Sequence, residues 1–592
     1  MSVGGAAATV ATVFRGLRTY ATLAVAALSC SCQPKTTASS PAVLTKAVDP
    51  NAAFRKLTDR WLNAYEARRP AGAVERGVHE QDGKLRDVTD AGLNAEVKAL
   101  KEALAEFSAV DPATLDTMLK VERGAIVQTI RADLFELEQL RRPWTDPMFY
   151  LGGLALTPYI SRDYAPLADR AAGIIGIGNA TPEYLGRAEA RLEHKLPKTF
   201  VDTALLQVRG TLAFIDKDVP AAMKGLDTKT AGELSAALAA MQEGLKHYES
   251  FLVARRETAT NEFALGPERF AEMLRETQGF DVDLERLESL ARADLARNLA
   301  ALTAACAKID PKRSVAQVVD WVARDKPSNI LSAANAQAEQ MRDFVVRNKL
   351  LTIPTEDIAE VRESPPFMRW NAAFLSPAGV FEKAALPSFY YISPPDPAWP
   401  AKQQRAYIPG KTDLLFITIH EVWPGHFLHG LHIKTSSSRV LKSSWNYAMG
   451  EGWAHYAEEM MWDAGISEDP AVHVGQLQNA LLRDIRFLSA LGLHTGGMTV
   501  SESTKLFQTK AFQDPANARQ QAVRGTFDPM YLSYTLGKLA ILKLRDDVQA
   551  QWAEQNKAFS PKAFHDALLS YGAAPLPVIR EAMLGPDAGP LL

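Results

Sequence analysis

Cysteine is nearly absent. The chain of 592 residues has three, Cys30, Cys32 and Cys306, and two of these lie near the N-terminus. The body therefore carries one thiol, which excludes an internal disulfide, a CxxC redox pair and a cysteine-rich zinc site. Cys306 falls in the apolar run "LTAACAKI", whose helix-like pattern predicts a buried, inert thiol. An excess of one charge is lacking too: 66 Lys and Arg against 69 Asp and Glu leave a net charge of −3, which offers nucleic acid no electrostatic footprint. Beyond the N-terminal stretch no segment is long and apolar enough to cross a bilayer, and no repeat of fixed period occurs. What remains is a 47% hydrophobic chain with enough apolar mass for a sizeable core.

The N-terminus reads as an export signal. Arg15 and Arg18 precede the short apolar run "YATLAVAAL", and "ALSC" ends at Cys30 in the manner of a bacterial lipoprotein box, with Ala27 where leucine is most usual. The polar "QPKTTASSPA" that follows suits a tether. This divides the chain into a signal or lipoprotein peptide (1–30), with a lipid anchor expected at Cys30, and a flexible tether (31–48). From residue 50 the spacing is helical: Phe54, Leu57, Trp61, Leu62 and Tyr65 share one face, as do Leu93, Val97, Leu100, Leu104 and Phe107. Residues 281–307, rich in Ala, Leu, Arg and Glu, predict a long amphipathic helix. Near residue 353 the texture turns to proline and aromatics, which predicts ordered loops with one or two short strands such as "SFYYI". The expected organisation is a helical part (49–350), a loop-rich bridge walling a cleft (351–410) and a helical part carrying the site (411–592). The fold class is mostly α with at most a small β element.

Four of the 11 histidines stand in "ITIHEVWPGHFLHGLHI", residues 417–433. A hydrolytic zinc needs three protein ligands, an open position for water and a carboxylate within reach of that water. His420-Glu421 begins the H-E-x-x-H pattern that places two histidines on one helix face. Here the fifth position is Pro424, and the next histidine, His426, stands about 240° round a regular helix from His420. A regular helix would turn it away. Pro424-Gly425 is, however, the pair best able to kink or widen a helix, so a metal site at this spacing requires a break at 423–425. The bland alternative leaves His429 and His432 solvated. A second segment, "MGEGWAHYAEEMMWDAG" (449–465), places Glu451, His455, Glu458 and Trp462 on one helix face. A merely solvated acidic face rarely also carries Trp453 and Tyr456.

Together, "TIHEVWPGHFLH" and "MGEGWAHYAEEM" resemble the DUF885 family of bacterial proteins, which is grouped with the gluzincin metallopeptidases. Its pattern is His-Glu-x-x-Pro-Gly-His followed by Gly-Glu-Gly-Trp-Ala, and "DPMYLSYTLGKLAILKLR" looks like its later Tyr-x-x-Gly segment. The resemblance covers roughly residues 50–590 and is specific in 415–465. It implies a multi-helix, zincin-like architecture with one Zn2+ per chain. His420 and His426 look like ligands, Glu421 like the general base, and Glu451 like the third ligand, with Glu458 its rival. His455 would orient a ligand or touch the oxyanion. Where the family commonly has a second histidine after Pro-Gly, this chain has Phe427.

The expected reaction is hydrolysis of a peptide bond. Tyr534 and Tyr531 are candidates to meet the oxyanion or substrate, with His455 a rival. Arg524 or Arg545 could fork a substrate carboxylate, and Phe389, Tyr390 and Tyr391 could line the cleft. Two alternatives are a metal-dependent amidase acting on non-peptide or cell-wall amides and an inactive lipoprotein binding module. The oligomeric state and the bond preferred are not legible in the sequence.

Overall fold

Helix starts are written into the sequence as Asp, Ser, Thr and Asn. Each accepts hydrogen bonds from backbone N–H groups that the first turn leaves without partners. A computed structural model describes residues 49–365, 368–369, 372–395 and 397–592. The expected signal, tether and anchor at Cys30 lie outside the described residues. Three long helices make an N-terminal layer: α1 (Leu167–Arg191), α2 (Lys198–Ala222) and α3 (Thr228–Glu257), the last capped by Asp227. They enclose a core of their own around Tyr150, Ile174, Met241 and Tyr248. Next come α4 (Leu284–Ile309), capped by Asp283, and α5 (Ile330–Arg347), capped by Asn329. Cys306 is buried on α4, as its apolar surroundings predict.

Helices take 71% of the residues and strands 3%, a mostly α fold with one small sheet. The strands are β1 (Ala359–Glu363), β2 (Ala373–Ser376) and β3 (Ser388–Ile392), in the order β1-β3-β2. β1 runs parallel to β3 and β2 antiparallel to it, so that Tyr390 stands opposite both Val361 and Leu375. "SFYYI" is the central strand, which is why it reads as continuous apolar sequence. Of its two partners, β1 ("AEVRE") is charged and half-exposed, while β2 ("AFLS") has four residues, the first two of them buried; neither carries a comparable signal.

The C-terminal part supplies α6 (Lys411–Glu421), α7 (His426–Thr435), α8 (Tyr447–Asp463), α9 (Pro470–Thr495), α10 (Pro515–Phe527), α11 (Ser533–Glu554) and α12 (Pro561–Ser570). The main hydrophobic core starts at Phe54, takes in Tyr390 of the sheet and ends at Leu591. The stretches separated by texture in the sequence thus share one interior, and residues 49–592 form one unit. Among the described residues no helix is long and apolar enough to cross a membrane.

Candidate metal centre

The helix does break after Glu421. Val422 leaves helical geometry, the Trp423–Pro424 peptide is cis, and α7 restarts at His426. Across the gap the backbone bonds widen: Gly425 N–H donates to the Ile419 carbonyl (2.9 Å) and Leu428 N–H to the Val422 carbonyl (3.3 Å). Both span six residues in place of the usual four. The wide turn brings the histidine at i+6 back beside the one at i. Glycine is required there, because a Cβ on Gly425 would stand 1.8 Å from the His420 carbonyl oxygen.

The second motif completes the turn. α8 is capped by the Asn446 side chain, and four consecutive residues of its first turns each have a task. Gly450 leaves room for the Trp445 indole, which a Cβ would meet at 2.3 Å. Glu451 points to the histidines. Gly452 lies against Gly537 of α11, whose own Cβ would stand 1.9 Å from the Ala448 carbonyl oxygen, so α8 and α11 meet backbone to backbone. Trp453 donates its indole N–H to the carbonyl of Pro424 (2.9 Å) and so satisfies an acceptor that the broken helix leaves over.

His420, His426 and Glu451 each turn one ligand atom to a common point, all within 4.8 Å of one another. Glu451 Oε2 lies 3.3 Å from His420 Nε2 and 3.1 Å from His426 Nε2. Ligand atoms held at ~2.1 Å around one tetrahedral zinc stand about 3.4 Å apart, so the spacing and the donor set both fit the ion. Behind His420, its Nδ1–H donates to Glu458 Oε1 (2.7 Å). That carboxylate is fully buried and held by Arg483 at 2.8 Å. This arrangement fixes the ring and aims its Nε2 lone pair at the shared point. Arg483 also passes 3.1 Å from Nδ1; two donors cannot share a bond, so its partner there is Glu458. Burial and Arg483 oppose protonation of His420, yet the Glu451 and Glu458 carboxylates prevail and raise its pKa to about 9. Burial likewise opposes ionisation of Glu451, but the two imidazoles hold its carboxyl well below the usual range. Such a place favours positive charge. Glu458, the rival third ligand, therefore stands behind the site and Glu451 in it.

The remaining residues separate clearly. Glu421 follows His420, and its carboxylate accepts the Leu375 N–H of β2 (3.0 Å). Tyr534 stacks on His420 with ring centroids 6.1 Å apart. Tyr531 is fully buried, its hydroxyl packed where a Cβ of Gly525 would fall, so it offers a ligand no surface. His455 is also fully buried, 3.6 Å from Glu458, and burial lowers its pKa to about 4. Arg524 is tied to Asp528 (2.8 Å) and donates to the Tyr447 hydroxyl (2.8 Å), while Arg545 pairs with Asp546. Phe389, Tyr390 and Tyr391 sit on β3 and are buried instead of lining a cleft. Tyr390 shares a hydrogen bond with Thr418 and so binds the sheet to α6. His429 is not solvated: its Nε2 donates to the Gly572 carbonyl (3.0 Å). His432 Nε2 donates to the Thr352 carbonyl. Sequence reasoning missed Arg483, Arg486 and Trp445. The first two lie on α9, where only their i, i+3 spacing could have marked a shared face. Trp445 is a large aromatic left 57% exposed, 6.1 Å from His426.

Comparison with known proteins agrees with this architecture. No curated protein matches the sequence. A structure from Shewanella oneidensis, titled "a putative lipoprotein of unknown function", superposes with a TM-score of 0.76 at 22% identity, over 90% of this chain and 99% of that one. A "putative lipoprotein" from Colwellia psychrerythraea superposes at 0.73 with 15% identity, over 90% and 98%. At these identities the likeness is one of fold. The family described as "Bacterial protein of unknown function (DUF885)" matches residues 70–583, and the chain, carrying both motifs within that span, belongs to it.

Proposed function

We propose that the chain is a zinc-dependent hydrolase of peptide bonds. The observation that carries this reading is the convergence of His420, His426 and Glu451 across a helix broken to bring them together. A zinc ion held by His420, His426 and Glu451 would supply a Lewis acid and would make a water there acidic enough to give up a proton near neutral pH. Glu421, next to the first ligand and steadied by the Leu375 N–H, takes a proton from the attacking water and passes it to the leaving amine. Tyr534, beside His420, donates its hydroxyl to the developing oxyanion. Its phenol pKa is raised by burial and by the Glu451 charge, which keeps the donor protonated. Glu458 and Arg483 hold His420 in the orientation this requires. Export and a lipid anchor at Cys30 belong to the same reading, supported by the N-terminal sequence and the names of the two structural neighbours.

The test is metal content together with cleavage of a peptide library. Wild type is expected to hold one zinc per chain and to cut. His420→Ala is expected to lose the zinc. Glu421→Gln is expected to keep it and to lose about 10²–10⁴-fold in kcat. Full zinc with no cleavage, unchanged by Glu421→Gln, removes the peptidase reading.

A further inference from the structure

Four arginines are buried among the described residues: Arg170, Arg483, Arg486 and Arg580. Three have a carboxylate: Arg170 has Asp163 (2.6 Å), Arg483 has Glu458 (2.8 Å) and Arg580 has Asp547 (2.6 Å). Arg486 has none among the described residues. Its single hydrogen bond runs from Nε to the amide oxygen of Gln521 (2.9 Å). Its two terminal nitrogens have no hydrogen-bond partner among the described residues. The residue is 8% exposed, and burial without an answering carboxylate lowers its pKa from the ordinary guanidinium value. A buried cation left in this state is costly, and a fold keeps one where something outside the chain completes it.

Its position says what that partner is near. The guanidinium carbon lies 4.7 Å from the centroid of the Tyr534 ring, the ring that stacks on His420. The charges around it are already spoken for. Arg483 is taken by Glu458, Arg524 by Asp528, and Glu451 by the two histidines. Among the described residues, Arg486 is then a positive charge beside the candidate zinc site with no carboxylate partner. The bond to Gln521 fixes the plane of the fork and leaves its outer edge, Nη1 and Nη2, for a bidentate acceptor.

We propose that Arg486 is a specificity-determining residue that takes a carboxylate of the substrate, so that the substrate class is a peptide presenting a free carboxylate close to the bond cut. This rests on the hydrolase reading above. One residue spans about 3.5 Å and two ring contacts separate the guanidinium from His420, so it serves a carboxylate within about three residues of the scissile bond. Both the C-terminus of a peptide and an acidic side chain supply that chemistry. Arg524, already neutralised by Asp528, is the weaker clamp.

Binding, not turnover, is the readout. Zinc-loaded Glu421→Gln protein is titrated calorimetrically with an N-acetylated tetra-alanine ending in a free carboxylate, with its C-terminal amide, and with the amide carrying Glu in the last position. The acid is expected to bind roughly tenfold or more tighter than the plain amide, as a charge-assisted pair warrants. In Glu421→Gln/Arg486→Gln that preference is expected to fall to within about twofold, with Arg486→Lys between. If the glutamyl amide binds like the acid, an acidic side chain serves as well as the C-terminus; if it binds like the plain amide, only the C-terminus is taken; if it alone binds tightly, the carboxylate recognised is a side chain. Equal binding of all three peptides with Arg486 present, or a carboxylate preference that survives Arg486→Gln, overturns the proposal. Arg486→Lys keeps the charge and gives the comparison if Arg486→Gln does not fold. Cleavage is scored separately. Acid preference without cleavage by wild type leaves the carboxylate site standing and removes the peptidase reading; cleavage without preference does the reverse.

Discussion

A Cβ at position 425 would stand 1.8 Å from the His420 carbonyl oxygen and 2.5 Å from that of Ile419, so the backbone of His420 must move to admit it. Gly425→Ala is expected to destabilise by about 2–3 kcal/mol and to lose zinc, read by thermal unfolding and metal analysis. Full zinc content in that variant would contradict the wide turn. Tyr534→Phe tests the opposite kind of residue: zinc is expected to stay, with kcat down about 10²-fold or more. Two buried histidines away from the centre give a pH dependence. His494 donates from Nε2 to the Gly525 carbonyl, and His565 donates from Nδ1 to the Leu350 carbonyl; burial lowers both pKa values to about 4. The unfolded polypeptide, with ordinary histidines near 6.5, binds protons first. Stability is therefore full above about pH 6.5 and falls as pH drops toward 4, by at most about 3 kcal/mol for each group. Denaturant unfolding at pH 8 and pH 5 measures it, and a flat profile contradicts it. Much at this scale was legible. Pro424-Gly425 announced a break because those two residue types disrupt helices in any context. Arg486 was not legible, because an arginine's meaning lies in whether a carboxylate faces it, and its neighbours come from other helices.

Among the elements, the contact of α8 with α11 sets the site's depth. Gly452 and Gly537 meet without side chains between them, which places Tyr534, one turn before Gly537, over His420. Gly537→Ala forces the helices apart and is expected to cost about 1–3 kcal/mol while lowering kcat more than zinc content. Equal activity and stability in that variant would mean the two helices tolerate the separation. Of the glycines flanking Glu451, Gly452 meets the helix and Gly450 the Trp445 indole; the identity of the partner helix, some 80 residues on, did not show in the sequence. The sheet divides in the same way. "SFYYI" was readable because a central strand is apolar on both faces. "AEVRE" and "AFLS" were not, because short flanking strands depend on their neighbour more than on their own composition. Tyr390 and Tyr391 were expected to line the cleft, as exposed aromatics before a polar cluster would. Their strand is instead the middle of the sheet, and its burial claims them for packing.

For the whole molecule, one buried charge group ties distant parts together. Lys538 of α11 is fully buried and donates to Asp294 of α4 (2.6 Å) and Glu459 of α8 (3.1 Å). Lys538→Met leaves Asp294 and Glu459 with Arg297 as their remaining partner (2.8 and 2.6 Å) and is expected to cost about 3 kcal/mol, read as a fall in the denaturant midpoint; an unchanged midpoint would show the buried lysine to be dispensable. The same long-range closure has a consequence in time. The ligands all lie between residues 420 and 451, but the ring over His420 and the glycine behind Glu451 arrive with α11, and the shared core closes only at Leu591. A ribosome or a translocation channel delivers this polypeptide from its N-terminus. The ligands emerge well before their walls, as loose side chains with no cage around them. On the proposed reading, zinc capture is expected to wait until α11 has joined α8. A polypeptide stopped at Pro529 is expected to retain every ligand and to hold no zinc through gel filtration.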